Sequence, residues 1–215
     1  MNLKKTIFII FLIFIECKNH NEDKLSEVEY NNLKKEKILS TIIGYKKQKI
    51  FLNYFTNITE LEFDKVSDKL VKSKILSKIG GNFYFPVLNN RDDIKSNKKY
   101  YFDITPFFEN NHLKSITLST SSGGCEEGYV SFYYIYRDLL NEKYQNSVYD
   151  YDFTSQNVTN TEAFWLNKGL VISMKEESWR IECENIVNDK TIHLEIKFED
   201  LKYLQKTLKE SIVVR

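Results

Sequence analysis

Apolar residues recur along this chain with two different periods. The helical period is clearest after residue 59. Thr59-Glu60-Leu61-Glu62 has capping-box spacing, in which the threonine hydroxyl and the Glu62 carboxylate each accept from the other residue's backbone N–H. Phe63, Val66 and Leu70 follow on one stripe with lysines and aspartates between them, and Gly80-Gly81 reads as the stop, so a helix is predicted over 60–79. A second, aromatic helix is predicted over 126–146. Tyr129, Phe132, Tyr133, Tyr136, Leu139 and Leu140 form its stripe, and Val130, Tyr134 and Ile135 fill the flanks of its first half. That half is expected to be covered all round. The second half, with Arg137, Asp138, Asn141, Glu142 and Lys143, is expected at the surface. Leu201, Leu204 and Leu208 mark a short amphipathic helix near the C-terminus.

Elsewhere the strand period dominates. Residues 50–55, 82–88, 100–105 and 112–120 have strand composition; Pro86 places its strand near an edge or at its own end, and Pro106 is expected to break the next. Residues 149–161 read as polar loop. Residues 164–167 and 170–175 flank Lys168-Gly169 as a hairpin. Residues 179–184 alternate, with Trp179, Ile181 and Cys183 on the face assigned to the core. Residues 192–198 place Ile192, Leu194, Ile196 and Phe198 inward and His193, Glu195 and Lys197 outward, with a turn at 188–190 before them. Together these predict an α+β fold: an antiparallel sheet of about 6–8 strands in two meanders, wet on one face, packed against two main helices. The element order suggests two helix-then-meander units, about 50–120 and 121–215, within one domain spanning 38–215.

Composition changes this picture only at the margins. In 215 residues, 31 basic and 30 acidic side chains leave a net charge of +1, which argues against nucleic acid as a partner. The aromatic share of 14% is mostly Phe and Tyr and favours sheet.

The N-terminus carries a different signal. Lys4 and Lys5 precede an unbroken apolar run over 7–15, followed by Glu16-Cys17. A charged start and a short apolar run make a signal peptide over 1–16, since so few helical residues cover only about half of a bilayer core. Cysteine directly after the run resembles the lipobox of bacterial envelope lipoproteins, with Glu16 in place of the usual small residue. The resemblance covers the first 17 residues and implies acylation of Cys17, anchoring at the membrane, and residence in the cell envelope. Residues 17–37 would then be a polar tether.

Three cysteines are an odd number for an exported chain. With Cys17 acylated, Cys125 and Cys183 remain as a pair. With Cys183 on the core face and Cys125 at the start of the aromatic helix, a disulfide is expected, contributing about 4–5 kcal/mol on the chain-entropy account. A nucleophilic Cys125 is the sharper alternative, but Glu126 and Glu127 oppose thiolate formation beside it. The partners for such a thiol would be His112 or His193. Neither the histidines nor the acidic pairs have metal-ligand spacing, and no phosphate-binding glycine loop is present, so no cofactor or metal is expected.

The expectation is therefore a lipid-anchored, non-enzymatic binding module for a protein or peptide partner, in the manner of an immunity or inhibitor protein. Gly123, Gly124, Glu126, Glu127 and Gly128 are the expected contact residues. An envelope hydrolase using Cys125 and a small-ligand carrier, with its pocket between the central helix and the sheet, are the alternatives.

Overall fold

Thr59 and Glu62 meet as their spacing predicts. The Thr59 backbone N–H donates to Glu62 Oε2 at 2.8 Å, and the Glu62 N–H donates to Thr59 Oγ1 at 3.3 Å. The helix they open runs Glu60–Lys72 and buries Phe63, Ser67 and Leu70. It stops short of 79. Ser73 caps it, Lys74 turns at φ +60°, and buried Leu76 draws the chain back toward the core. Ser77–Ile79 then pairs as a strand with Asn82–Pro86 across Gly80-Gly81. Both glycines have positive φ, +57° and +95°, as a tight hairpin turn requires, so the pair is a strand connection where a helix stop was expected.

The computed structural model describes residues 25–43, 49–87, 100–123, 131–144, 149–154, 158–167, 169–183 and 186–213. In chain order the elements are α1 Glu27–Ser40, β1 Lys49–Phe51, β2 Tyr54–Phe55, α2 Glu60–Lys72, β3 Ser77–Ile79, β4 Asn82–Pro86, β5 Tyr101–Glu109, β6 His112–Gly123, α3 Tyr133–Tyr144, β7 Tyr149–Thr154, β8 Val158–Asn167, β9 Leu170–Cys183, β10 Ile186–Asp200 and α4 Leu201–Val213. The fold is α+β. Strands β3 to β10 form one antiparallel sheet in the order β3-β4-β5-β6-β10-β9-β8-β7, and β1 and β2 form a separate ribbon. Two four-strand meanders, each preceded by a helix, thus meet where their last strands pair, β6 against β10.

Four corrections to the sequence reading follow from register. Residues 170–175 and 179–183 lie in the single long strand β9, and residues 188–190, expected as a turn, lie in β10. The polar stretch 149–161 supplies β7 and the start of β8, whose edge position tolerates the Tyr/Asp alternation of 149–152. Strand β5 continues through Pro106, because β4 pairs with it only as far as Asp103 and asks for no N–H beyond. Finally, Trp179 pairs with Thr191 and so shares the side of His193, the wet face. Strict alternation from Ile172 and Met174, both in the core, leaves it no other side.

The main core lies on one face of the sheet. Ile192 on β10 points inward with Leu194, Ile196 and Phe198, as its alternation predicts. The last three join Phe102, Ile116, Trp165, Ile172 and Met174 in the cluster covered by α2, α3 and the β1–β2 ribbon. Helix α3 begins at Tyr133 rather than 126, since residues 131–132 are not helical. Glu176 on β9 sets that start: it accepts from Ser131 Oγ at 2.8 Å and from the Tyr133 N–H at 3.2 Å. Phe132, Tyr133, Tyr136 and Leu140 are buried, but Tyr134 is 57% exposed, so even the first half of this helix has a wet side.

Helices α1 and α4 lie on the other face. Tyr30 of α1 stacks on Tyr151 with ring centroids 5.1 Å apart and meets Phe164 edge-on, while Ile38 packs with Val171 and Leu201. The segment expected as a tether over 17–37 is therefore part of the folded unit from Glu27 onward, opened by a second capping box between Ser26 and Glu29. Helix α4 is as long as α2, at 13 residues each, and is capped by Asp200 through the Lys202 N–H at 2.8 Å.

Buried Gln205 ties the two helices on this face together, donating through Nε2 to the Ile38 and Thr41 carbonyls at 2.7 and 2.8 Å. Gln205→Ala should lower unfolding free energy by about 1–3 kcal/mol, because it leaves α1's last carbonyls without that donor. Denaturant unfolding measures this. An unchanged midpoint would show that water replaces the amide without loss.

Candidate functional site

Helices α1 and α4 cover only part of the wet face. Their apolar contacts fall mainly on β7, β8 and β9, with α4 also reaching Phe107 near the end of β5 through Tyr203. Among the described residues no helix or loop covers the middle of β4, β5, β6 and the adjoining part of β10. Register arranges its side chains in rows across the strands. Tyr84, Asp103, Ser119 and Glu195 sit directly opposite one another on β4, β5, β6 and β10. Two residues along, Tyr101 lies on the same side of β5, and Ser121 faces His193.

Tyr84, Tyr101, Asp103, Ser119, Ser121 and His193 line a concavity of about 570 Å³ with Ile79 at its margin, whereas Glu195 lines the neighbouring cavity beside Lys34. Ile79 is 64% and Tyr101 39% exposed, so the rim is aromatic and aliphatic around a polar floor. The Ser121 hydroxyl and His193 Nδ1 lie 2.9 Å apart. A hydroxyl beside an imidazole is one half of a nucleophile–base pair. Here the contact is set by cross-strand pairing, and the carboxylate opposite the imidazole, Glu177, is held by Lys175 Nζ at 2.5 Å.

A second, smaller cavity of about 200 Å³ lies on the same face under α1. Lys34 reaches into it with Nζ 5.9 Å from the Tyr30 ring centre and 5.7 Å from that of Phe164. Burial pushes this ammonium below the usual lysine range, against the opposing pull of Glu162 and Glu199. The contacts make Lys34 an anchor of α1 onto a charged sheet surface.

Of the residues singled out in the sequence, few enter this site. Gly123 ends β6 opposite Thr191 at φ +105°, and a Cβ there would collide with the Lys190 carbonyl oxygen. Its glycine is thus explained by close approach of two backbones within the sheet. Gly124, Cys125, Glu126, Glu127 and Gly128 lie outside the described residues, as does Cys17. Cys183 closes β9 opposite Ile186, but its side chain, and with it the expected pairing with Cys125, also falls outside them. Trp179, expected on the core face beside Ile181 and Cys183, is on the other. His112 is engaged at the edge of the fold, its Nδ1 3.1 Å from the Asn57 carbonyl oxygen. His193 lies on the wet face, as its alternation predicts.

The space between the central helix and the sheet, where a carrier's pocket was expected, is occupied by Phe132, Tyr133, Tyr136 and Leu140 against Phe102 and Trp165. Among the described residues no cluster of three His, Cys, Asp or Glu could hold a metal ion, and no helix is long and apolar enough to cross a membrane. Tyr84, Tyr101, Asp103, Ser119 and Ser121 were not identified from sequence. Alternation marks such positions as outward, but it carries no sign of which outward positions a helix will cover.

Comparison with protein-family models, with curated proteins and with solved structures finds no match to this chain.

Proposed function

We propose that this protein is a lipid-anchored binding module of the cell envelope that engages a protein or peptide partner through the open half of its wet sheet face. The observation that carries the reading is the concavity on β4, β5, β6 and β10, which no described element covers. Its exposed tyrosine and isoleucine surround hydroxyl, imidazole and carboxylate groups. Aromatic rims around polar floors suit partner recognition, because rigid rings supply contact area at low entropic cost while the floor supplies direction. The signal-peptide pattern and the lipobox-like Cys17 supply the location. Within this class, an immunity-type or inhibitor protein is the specific form the reading takes: it needs a rigid face, an anchor and no chemistry of its own.

Two measurements test it. Cys17→Ser should move the protein out of the membrane fraction, and intact mass of the parent should show an acylated Cys17. A native chain that still begins at Met1 without acylation would overturn the anchoring. A photo-crosslinking residue in place of Tyr101 should give a discrete adduct in intact producing cells, and the same residue in place of exposed Lys65 on α2 should give none. Equal adducts from both positions, or none from Tyr101, would overturn the binding face.

A further inference from the structure

Three polar groups meet in the cavity under α1 without partners of their own. Lys175 Nζ contacts Glu177 and, at 3.8 Å, Glu162, while Lys197 Nζ contacts Glu199 at 2.9 Å. That leaves Lys34 and Glu195. Both line the cavity, and among the described residues neither makes an ion pair, with the other or with any third group. Burial holds the Lys34 ammonium below the usual lysine range although Glu162 and Glu199 pull the other way, so carboxylates engaged elsewhere do not fully answer its charge. Ser173 lines the same cavity, and its buried hydroxyl has no hydrogen-bond partner among the described residues. A buried hydroxyl without a partner costs stability unless something bound supplies one. Register sets the spacing. Ser173 is opposite Lys197, and Lys175 is opposite Glu195, so Ser173 and Glu195 are diagonal neighbours on adjoining strands, about 7–8 Å apart. Lys34 enters from α1, on the other wall. The lining balances in charge, with Lys34, Lys175 and Lys197 against Glu162, Glu195 and Glu199. A net anion or cation therefore gains little from the cavity as a whole. A net-neutral molecule that carries both charges can meet Lys34 and Glu195 together. The volume of about 200 Å³ equals several waters, which suits a molecule as small as a free amino acid.

We infer that the cavity under α1 is a binding site for a small zwitterion of the free amino-acid class, its carboxylate held by Lys34 and the Ser173 hydroxyl and its ammonium by Glu195. The site is separate from the open concavity and stands whether or not that face receives a protein.

The test is a calorimetric titration of the full-length protein in detergent with glycine, L-alanine, L-serine, L-valine and L-leucine. Each amino acid is compared with analogues that keep only one of its charges, propionate and ethylamine in the case of alanine. At least one amino acid should bind, and about tenfold or more tightly than either of its one-charge analogues. Glu195→Gln and Lys34→Met should each weaken that binding about tenfold, and Ser173→Ala by a smaller factor, since it removes one neutral donor. Glu195→Gln keeps the side chain's size and Lys34→Met keeps an unbranched stem over the rings, and an unfolding midpoint no lower than the parent's will verify each fold. The comparison of analogues uses the parent protein alone and does not depend on the variants. No binding of any of the five amino acids up to about 10 mM would overturn the inference. So would equal binding of the one-charge analogues, or binding that either Glu195→Gln or Lys34→Met leaves unchanged.

Discussion

Replacing Trp165 by alanine should lower the unfolding free energy by about 3–5 kcal/mol, the largest loss expected from a single side chain in this protein. Trp165 is the largest fully buried side chain, on β8 in the core beneath α3. Its Nε1–H donates to Asn141 Oδ1 at 2.9 Å and so joins strand to helix as well as filling space. Alanine removes both functions and leaves a cavity that a sheet hydrogen-bonded on both sides of β8 cannot collapse to fill. Trp165→Phe keeps much of the volume but leaves Asn141 without the indole donor, and should cost about 1–2 kcal/mol. Denaturant unfolding followed by circular dichroism gives both numbers. Fluorescence gives an independent check, because the only other tryptophan, Trp179, is half-buried on the wet face. Emission from Trp165→Ala should shift to longer wavelength than in the parent. A loss below about 1 kcal/mol would contradict the packing of α3 on β8.

Glu176→Ala should be the next most damaging change, at about 2–3 kcal/mol, because it removes the acceptor that starts α3. Ser131 Oγ and the Tyr133 N–H both end on this carboxylate, and the Phe132 N–H contributes as well. Burial pushes the carboxyl above the usual glutamate range, and these hydrogen bonds offset the push only in part. The folded state therefore holds the Glu176 proton more tightly than the unfolded chain does. The stability this group contributes is fully present below its unfolded value and is lost as pH rises through its folded value. Glu176→Gln keeps a carbonyl oxygen for the Tyr133 N–H without the charge, so it should be far milder than alanine near neutral pH. It should also remove the decline in stability across the range just above ordinary glutamate titration. Midpoints of denaturant unfolding for parent and both variants across acid to neutral pH will show this. Equal losses for glutamine and alanine at neutral pH would mean that the charge itself, rather than the acceptor, holds the helix start.

Glu176 also shows why parts of this fold were not legible in the sequence. The stripe through Phe132, Tyr133, Tyr136 and Leu140 announces a helix, but its first residue is chosen by a carboxylate more than forty positions away, as the Glu176–Tyr133 separation of 43 shows. Gly80-Gly81 announces a chain reversal, but whether it ends a helix or joins two strands depends on whether Ser77–Ile79 finds β4. The helix over Glu27–Ser40 is polar enough to pass for a tether, and its place in the fold rests on Tyr30 and Ile38 finding Phe164 and Val171. For the candidate site the gap is wider. Each of Tyr84, Tyr101, Asp103, Ser119 and Ser121 is an ordinary outward strand residue when read locally.

What sequence alone determined is what short-range chemistry decides. A threonine and a glutamate three residues apart specified the start of α2, and alternation specified the inward side of β10. Tertiary structure alone decided the strand order, the joining of β6 to β10, the side on which Trp179 lies, and the half of the wet face that α1 and α4 leave open. The physical reason is that periodicity tells a residue which way to face but not what it will meet. Pairing and helix docking are chosen among many faces with the same local pattern, and only the assembled sheet places Tyr84, Asp103 and Ser119 in one row.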